Sequence, residues 1–267
     1  MTLVLEPVAD TGAVLARRNP VGKLAAALVF SLPLLLTIDP LTPAVGLGVE
    51  LIALPLFGVR PGVLARRAWP LIGSVAGIVL TVLLFAADRS GTRLVELGPV
   101  DLTSGVLTTA VALGLRVFAV ALPGILVFAT TDPTDLADAL VQNARVPARF
   151  AIGTLAAFRL VTLLGEEWQT LTYARRARGL DAGRNPVARV RLFASTAFAL
   201  LVGAIRRGTR LAVAMDARGF DSGLPRTYAR RQVFGRADAA LVLGAAALSA
   251  GTLAASVLAG TFHLVLR

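Results

Sequence analysis

Apolar residues run through this chain in long blocks rather than thin amphipathic stripes. Runs at about 24–38, 41–59, 68–87, 106–130 and 239–266 carry almost no charge, and most approach the roughly 20 residues that cross a bilayer as a helix. The pattern predicts five spanning helices. The first is the shortest, because Pro33 interrupts it and Asp39-Pro40 stops it, although the helix has room to begin near Val21.

Between 131 and 238 the pattern changes. Thr131-Asp132-Pro133-Thr134-Asp135 reads as a helix cap with an acidic first turn, and Leu136, Ala139 and Leu140 line one side of a short helix that ends by Pro147. A second helix is predicted from about Ala148 to Arg178, with Leu160, Leu163, Leu164, Glu167, Leu171 and Ala174 at three- and four-residue spacing. Asn185-Pro186 breaks the chain, and a third helix follows from about Val187 to Arg218. Its middle, Leu192 to Ile205, is apolar. That stretch is shorter than a bilayer crossing and flanked by several Arg, so it is expected to be buried in protein or to lie at an interface. The predicted fold class is all-α, a polytopic membrane protein with about five transmembrane helices. Residues 1–130 hold a short N-terminal segment and four spans, 131–238 a helical extramembrane domain, and 239–267 the last span.

Charge orients this arrangement. The chain is 56% hydrophobic with mean hydropathy +0.75, yet 27 of its residues are Lys or Arg against 16 Asp or Glu. With the N-terminus inside, the inner segments hold Arg17, Arg18 and Lys23, then Arg60, Arg66 and Arg67, then the Arg-rich 131–238 region; the outer segments hold Arg89, Arg93 and Arg267. The positive-inside rule therefore places the N-terminus and 131–238 in the cytoplasm of a cell-membrane protein. A signal peptide is not expected, since Glu6 and Asp10 precede the basic cluster and no small-residue cleavage site follows the first apolar run. The net charge of +11 is explained by topology and anionic head groups rather than by nucleic acid. With no Cys, disulfides, thiol catalysis and sulfur-ligated metals drop out.

The basic region contains a repeat. Ala177-Arg178-Gly179-Leu180-Asp181-Ala182-Gly183 returns as Ala217-Arg218-Gly219-Phe220-Asp221-Ser222-Gly223, and Leu171 and Ala174 align with Leu211 and Ala214. Each copy has the chemistry of a helix C-terminus, with Arg facing the negative end of the macrodipole and Gly able to take the left-handed conformation that closes the helix. One Arg-Gly in an Arg-rich chain is an ordinary helix end. Two aligned copies with the same downstream Asp and Gly are a repeated device, and a guanidinium held at a helix tip is preorganised to meet carboxylates on another protein.

Other polar features have simpler accounts. Glu50 and Arg116 fall near the middles of the second and fourth spans, and they are candidates for an intramembrane pair, as a packing salt bridge or as part of a transport path. His263 lies near the outer end of the last span, with no second metal ligand beside it in the sequence. The Asp181-Ala182-Gly183 and Asp221-Ser222-Gly223 turns offer one carboxylate each and are read as turns, not as a divalent-metal site. A phosphate loop, a zincin helix and a serine-hydrolase elbow are all missing.

Arg18-Asn19-Pro20 with Lys23-Leu24, the Thr131-Asp132-Pro133 to Pro147 segment, the stretch Arg159 to Gly179, and Ala214-Met215-Asp216-Ala217-Arg218-Gly219-Phe220 resemble the transmembrane T component (EcfT/CbiQ-like) of energy-coupling factor (ECF) transporters, over nearly the whole chain. The pair of Ala-Arg-Gly motifs is the most specific part. The resemblance implies a non-catalytic membrane scaffold with a coupling domain at 131–238. Ala177, Arg178, Gly179, Ala217, Arg218 and Gly219 would dock into two ABC ATPase subunits, while the membrane helices hold a substrate-binding S component for a vitamin or a transition-metal ion. No cofactor is expected on this chain, since ATP and Mg would bind the ATPases. Two other readings stay open: a self-contained secondary transporter or channel, supported by Glu50 and Arg116, and a membrane transferase acting on a lipid head group, supported by the Asp turns.

Overall fold

The computed structural model describes residues 14–37, 39–58, 61–85, 92–97, 100–220, 222 and 227–261. Among them the elements are α1 Pro20–Leu35, α2 Leu41–Ala53 continued by a 3-10 turn Leu54–Phe57, α3 Pro61–Phe85, strands β1 Arg93–Leu97 and β2 Val100–Thr103, α4 Ser104–Thr130, α5 Pro133–Gln142, α6 Ala148–Ala177, α7 Pro186–Ala217 and α8 Arg236–Leu258. The chain is nearly all helical, as expected. The exception is the antiparallel β1–β2 ribbon, with Glu96 opposite Asp101 and Leu97 opposite Val100; at this length no apolar run announces it.

Five helices are long and apolar enough to cross a membrane: α4, α6, α7, α8 and the Ala68–Phe85 part of α3. They differ from the five spans expected. α1 has 16 residues and α2 only 13, about 24 and 20 Å at the helical rise and so shorter than the roughly 30 Å hydrocarbon core. α6 and α7, expected outside the membrane, have 30 and 32 residues. Length and composition thus leave the α6–α7 segment open to a membrane or interfacial setting.

The chain divides into two compact units, one formed by residues 145–231 and the other by 6–144 with 232–267. These limits fall inside the expected 131–238 boundaries, because α5 packs on α1 and belongs with the larger unit. In that unit α1 and α2 each pack on both α4 and α8, and α3 lies along α4. Phe30, Leu34 and Ala119 form one core cluster, and Leu54, Leu122 and Leu126 another. A Cβ at Gly22 would come within 3.1 Å of the Asp238 Cβ, and one at Gly114 within 3.2 Å of Val75 Cγ1, so glycine is what lets α1 approach α8 and α3 approach α4.

Polar knots sit at both ends of the larger unit. At one end the backbone N–H of Asn19 donates to Asp238 Oδ1 at 2.9 Å, and the Lys23 ammonium donates to the Thr130 carbonyl at 2.8 Å and to Thr131 Oγ1 at 3.2 Å. The start of α1, the end of α4 and the start of α8 therefore lie together. At the other end Asp39 joins the start of α2 to the end of α8 through Thr42 and Ser256. α1 and α8 consequently run parallel.

Candidate functional site

Both Ala-Arg-Gly copies fold into the same helix terminus. In α6, Arg178 is the C-cap and Gly179 has φ +76°; the Leu180 N–H donates to the Arg175 carbonyl at 3.0 Å and the Gly179 N–H to the Arg176 carbonyl at 2.9 Å. In α7, Arg218 is the C-cap and Gly219 has φ +70°; the Phe220 N–H donates to the Met215 carbonyl at 3.1 Å and the Gly219 N–H to the Asp216 carbonyl at 2.9 Å. These are the paired bonds of a Schellman motif, and they require a left-handed residue where each glycine stands. Ala177, Arg178, Gly179, Ala217, Arg218 and Gly219 are all exposed. Asp181 lies in a turn and accepts from the Gly183 N–H at 3.4 Å; Asp221 and Gly223 lie outside the described residues, as does His263.

The two tips point away from each other along α7. Arg175, one turn before Arg178, reaches across to α7. It donates to Ser195 Oγ, to Thr196 Oγ1 at 2.8 Å, and to the carbonyls of Ser195 at 3.2 Å and Leu192 at 3.3 Å. Trp168 packs on Phe193 with ring centroids 5.0 Å apart, and Glu167 forms an ion pair with Arg207. The end of α6 is thereby pinned against Leu192 to Thr196. From there Arg218 lies about six helical turns, or ~33 Å, further along the α7 axis.

The apolar middle of α7 is not buried within this chain, contrary to one expectation for it. Phe193 is 61% and Phe198 68% exposed, while only Thr196 and Leu200 of α7 are buried among the described residues. With α6 covering one side alone, the rest of this face is free to meet a membrane or another protein.

Glu50 and Arg116 are both buried, at 7% and 9% exposure, but the structure does not pair them. Arg116 Nη2 donates to the backbone carbonyl of Asp39 at 3.5 Å, and both Glu50 oxygens are without a hydrogen-bond partner among the described residues. The residue that sequence reasoning missed is Asp39, 2% exposed. Its Oδ2 accepts from the Thr42 N–H at 2.8 Å, the Thr42 hydroxyl at 2.7 Å and the Ser256 hydroxyl at 2.7 Å. In the sequence Asp39-Pro40 is only a helix stop. The available signal was the polar stripe Ser249, Thr252 and Ser256 along one side of an otherwise apolar helix, all three buried. Among the described residues, His, Asp and Glu side chains nowhere gather in threes as a metal site would require.

A chain of long apolar helices packed through buried polar knots is a multi-pass membrane protein. The profile of the CbiQ family, described as a cobalt transport protein, matches residues 12–228, and the chain belongs to that family. The energy-coupling factor transporter transmembrane protein EcfT of Thermosediminibacter oceani is 30% identical over 249 residues, 90% of this chain and 92% of that protein. The EcfT of Limosilactobacillus fermentum is 34% identical over 149 residues, and the match spans 56% of its length. A putative ABC transporter ATP-binding protein of Bifidobacterium longum is 24% identical over 257 residues, 92% of this chain but 32% of that protein.

Proposed function

We propose that this chain is the T component of an ECF-type ABC importer, a non-catalytic scaffold that couples ATP hydrolysis by two partner ATPases to movement of a membrane S component. The observation that carries this reading is the pair of exposed Arg tips, each closed by a Schellman motif, with Arg218 ~33 Å along α7 from the Thr196 that Arg175 holds. Two like tips at a fixed separation suit two like partners. The Bifidobacterium relative supports the choice of ATPases, because a protein named for ATP binding carries a region similar to 92% of this chain. The exposed apolar face of α6 and α7 suits the S component or the membrane interface, and the cargo is a vitamin or a transition-metal ion. In this reading the N-terminus and 131–238 face the cytoplasm, as the Arg distribution indicates. The secondary-transporter reading loses its support with the Glu50–Arg116 pair.

The test is the double substitution Arg178→Ala, Arg218→Ala. Truncating one partner of a buried charge pair costs about 2–5 kcal/mol, so losing both should abolish copurification with the ATPases and uptake while membrane insertion is kept. Full copurification and uptake by the double variant would overturn the assignment.

A further inference from the structure

We propose that the groove between α1, α2, α4 and α8 seats one acyl chain of an anionic phospholipid, whose phosphate is held by Arg17, Arg18 and Arg236 where α1 and α8 begin. The groove has a volume of about 270 Å³. At roughly 30 Å³ per water-sized group it takes about nine carbons of a chain. Ala26, Phe30, Leu126, Ala240, Gly244 and Leu248 are among its walls. It opens outward along α8, where Ala240 and Gly244 are exposed and Leu248 is 46% exposed.

The two ionisable lining residues offer an occupant no charge. The Lys23 ammonium is held by Thr130 and Thr131, and both Glu50 carboxyl oxygens are closed off from solvent. What remains is an apolar trough in a membrane protein, which an acyl chain fills and water does not, since each buried water needs two to four polar partners. The positive charge lies at one end of it. Leu15 lines the groove and its carbonyl accepts from the Arg18 N–H at 3.1 Å, so Arg17 and Arg18 stand in the turn at the groove's edge. Arg236 precedes the lining residue Ala240 by four positions, one turn beyond the groove on the same face of α8. The 2.9 Å bond from the Asn19 N–H to Asp238 brings the two stretches together. Arg17 and Arg236 are exposed and Arg18 is half-buried, and none of these guanidiniums has a hydrogen bond or ion pair among the described residues. The nearby carboxylates are engaged, Asp238 by the Asn19 and Gly235 N–H groups and Asp135 by Gln232. Three guanidiniums at the end of an apolar trough match a phosphate that carries a chain, and the planar fork of Arg suits phosphate oxygens. A zwitterionic head group would bring its own cation to the same place. The site is independent of the Arg tips, and its test does not involve the ATPases.

The probe is palmitoyl-oleoyl phosphatidylglycerol, compared with phosphatidylcholine of the same chains. Each is added to the delipidated full chain in detergent, and retained lipid is counted by native mass spectrometry. The expected result is one phosphatidylglycerol per chain, bound at least about tenfold more tightly than phosphatidylcholine. The triple substitution Arg17→Gln, Arg18→Gln, Arg236→Gln should bring phosphatidylglycerol down to the phosphatidylcholine level. Gly244→Leu should remove the site for both lipids by filling the groove, since a Cβ at Gly244 meets nothing within 4 Å and the helix tolerates Leu. Excess inorganic phosphate should displace neither lipid, because it has no chain to seat. Equal retention of the two lipids by the wild-type chain, an undiminished preference in the triple variant, undiminished binding to Gly244→Leu, or displacement by inorganic phosphate would each overturn the proposal. If Gly244→Leu fails to fold, Ala240→Leu, one turn away on the same face, fills the groove in its place.

Discussion

Three hydrogen bonds converge on one oxygen of Asp39, and Arg116 is bound to the backbone carbonyl of the same residue. This connection ties α2, α4 and α8 together where water is scarce, so its members are unequal to Glu50, which has no partner to lose. Asp39→Ala should lower thermal stability in detergent by about 3–5 kcal/mol, because it strands the donors of Thr42 and Ser256 and removes the charge nearest Arg116. Adding Arg116→Leu to that variant should recover part of the loss, and additivity of the two would show that they do not interact. Glu50→Gln should leave stability unchanged or raise it, since it removes a buried charge without breaking a bond. A clear loss with Glu50→Gln would mean that the carboxyl has a partner. Two mid-span charges were legible in the sequence as an expensive feature. That Arg116 finds Asp39 and Glu50 finds no partner among the described residues was not legible, because which faces of α2 and α4 meet depends on helix rotation about axes that hydropathy does not set.

The helix termini are the element best read from sequence. Ala148–Ala177 and Pro186–Ala217 begin and end within a residue of expectation, because Pro147, Asn185-Pro186 and the two Arg-Gly pairs act locally. Gly179→Ala and Gly219→Ala should each strain the left-handed position by roughly 1–2 kcal/mol. Gly179 makes the cleaner test, since a Cβ there meets nothing within 4 Å. That strain should lower the melting temperature by only a few degrees, while ATPase copurification falls well beyond that loss; copurification that declines only in step with stability would argue against a docking role. Arg175→Lys should also impair coupling, since an ammonium cannot reproduce a fork that reaches Leu192, Ser195 and Thr196 together. The role of Arg175 was invisible beforehand, because nothing in the spacing says which of the Arg residues turns toward α7.

At the scale of the whole molecule, the start of α1, the end of α4 and the start of α8 share one end of the larger unit. That sharing is what an even number of crossings between these points demands. The lack of native Cys permits a direct test of sidedness. In intact cells an impermeant thiol reagent should leave Ser222→Cys unlabelled and should label Thr92→Cys, which is exposed beside β1. Labelling of Ser222→Cys from outside would place the second tip on the wrong side and remove the shared docking surface.

By itself the sequence determined the helical class, the membrane setting, the places where helices stop and the twin tips. Each follows from forces that act within a turn or two: burial of apolar runs, proline and glycine stereochemistry, and the macrodipole. Tertiary structure alone decided that Arg116 turns to Asp39 rather than Glu50, and that Arg175 pins α6 on α7. It also decided that Glu50 is buried with no hydrogen-bond partner among the described residues. These outcomes turn on which faces of distant helices meet, and that choice is made by side-chain packing and by the need to partner buried polar groups across 17 to 217 residues of intervening chain, a range over which no local pattern carries information.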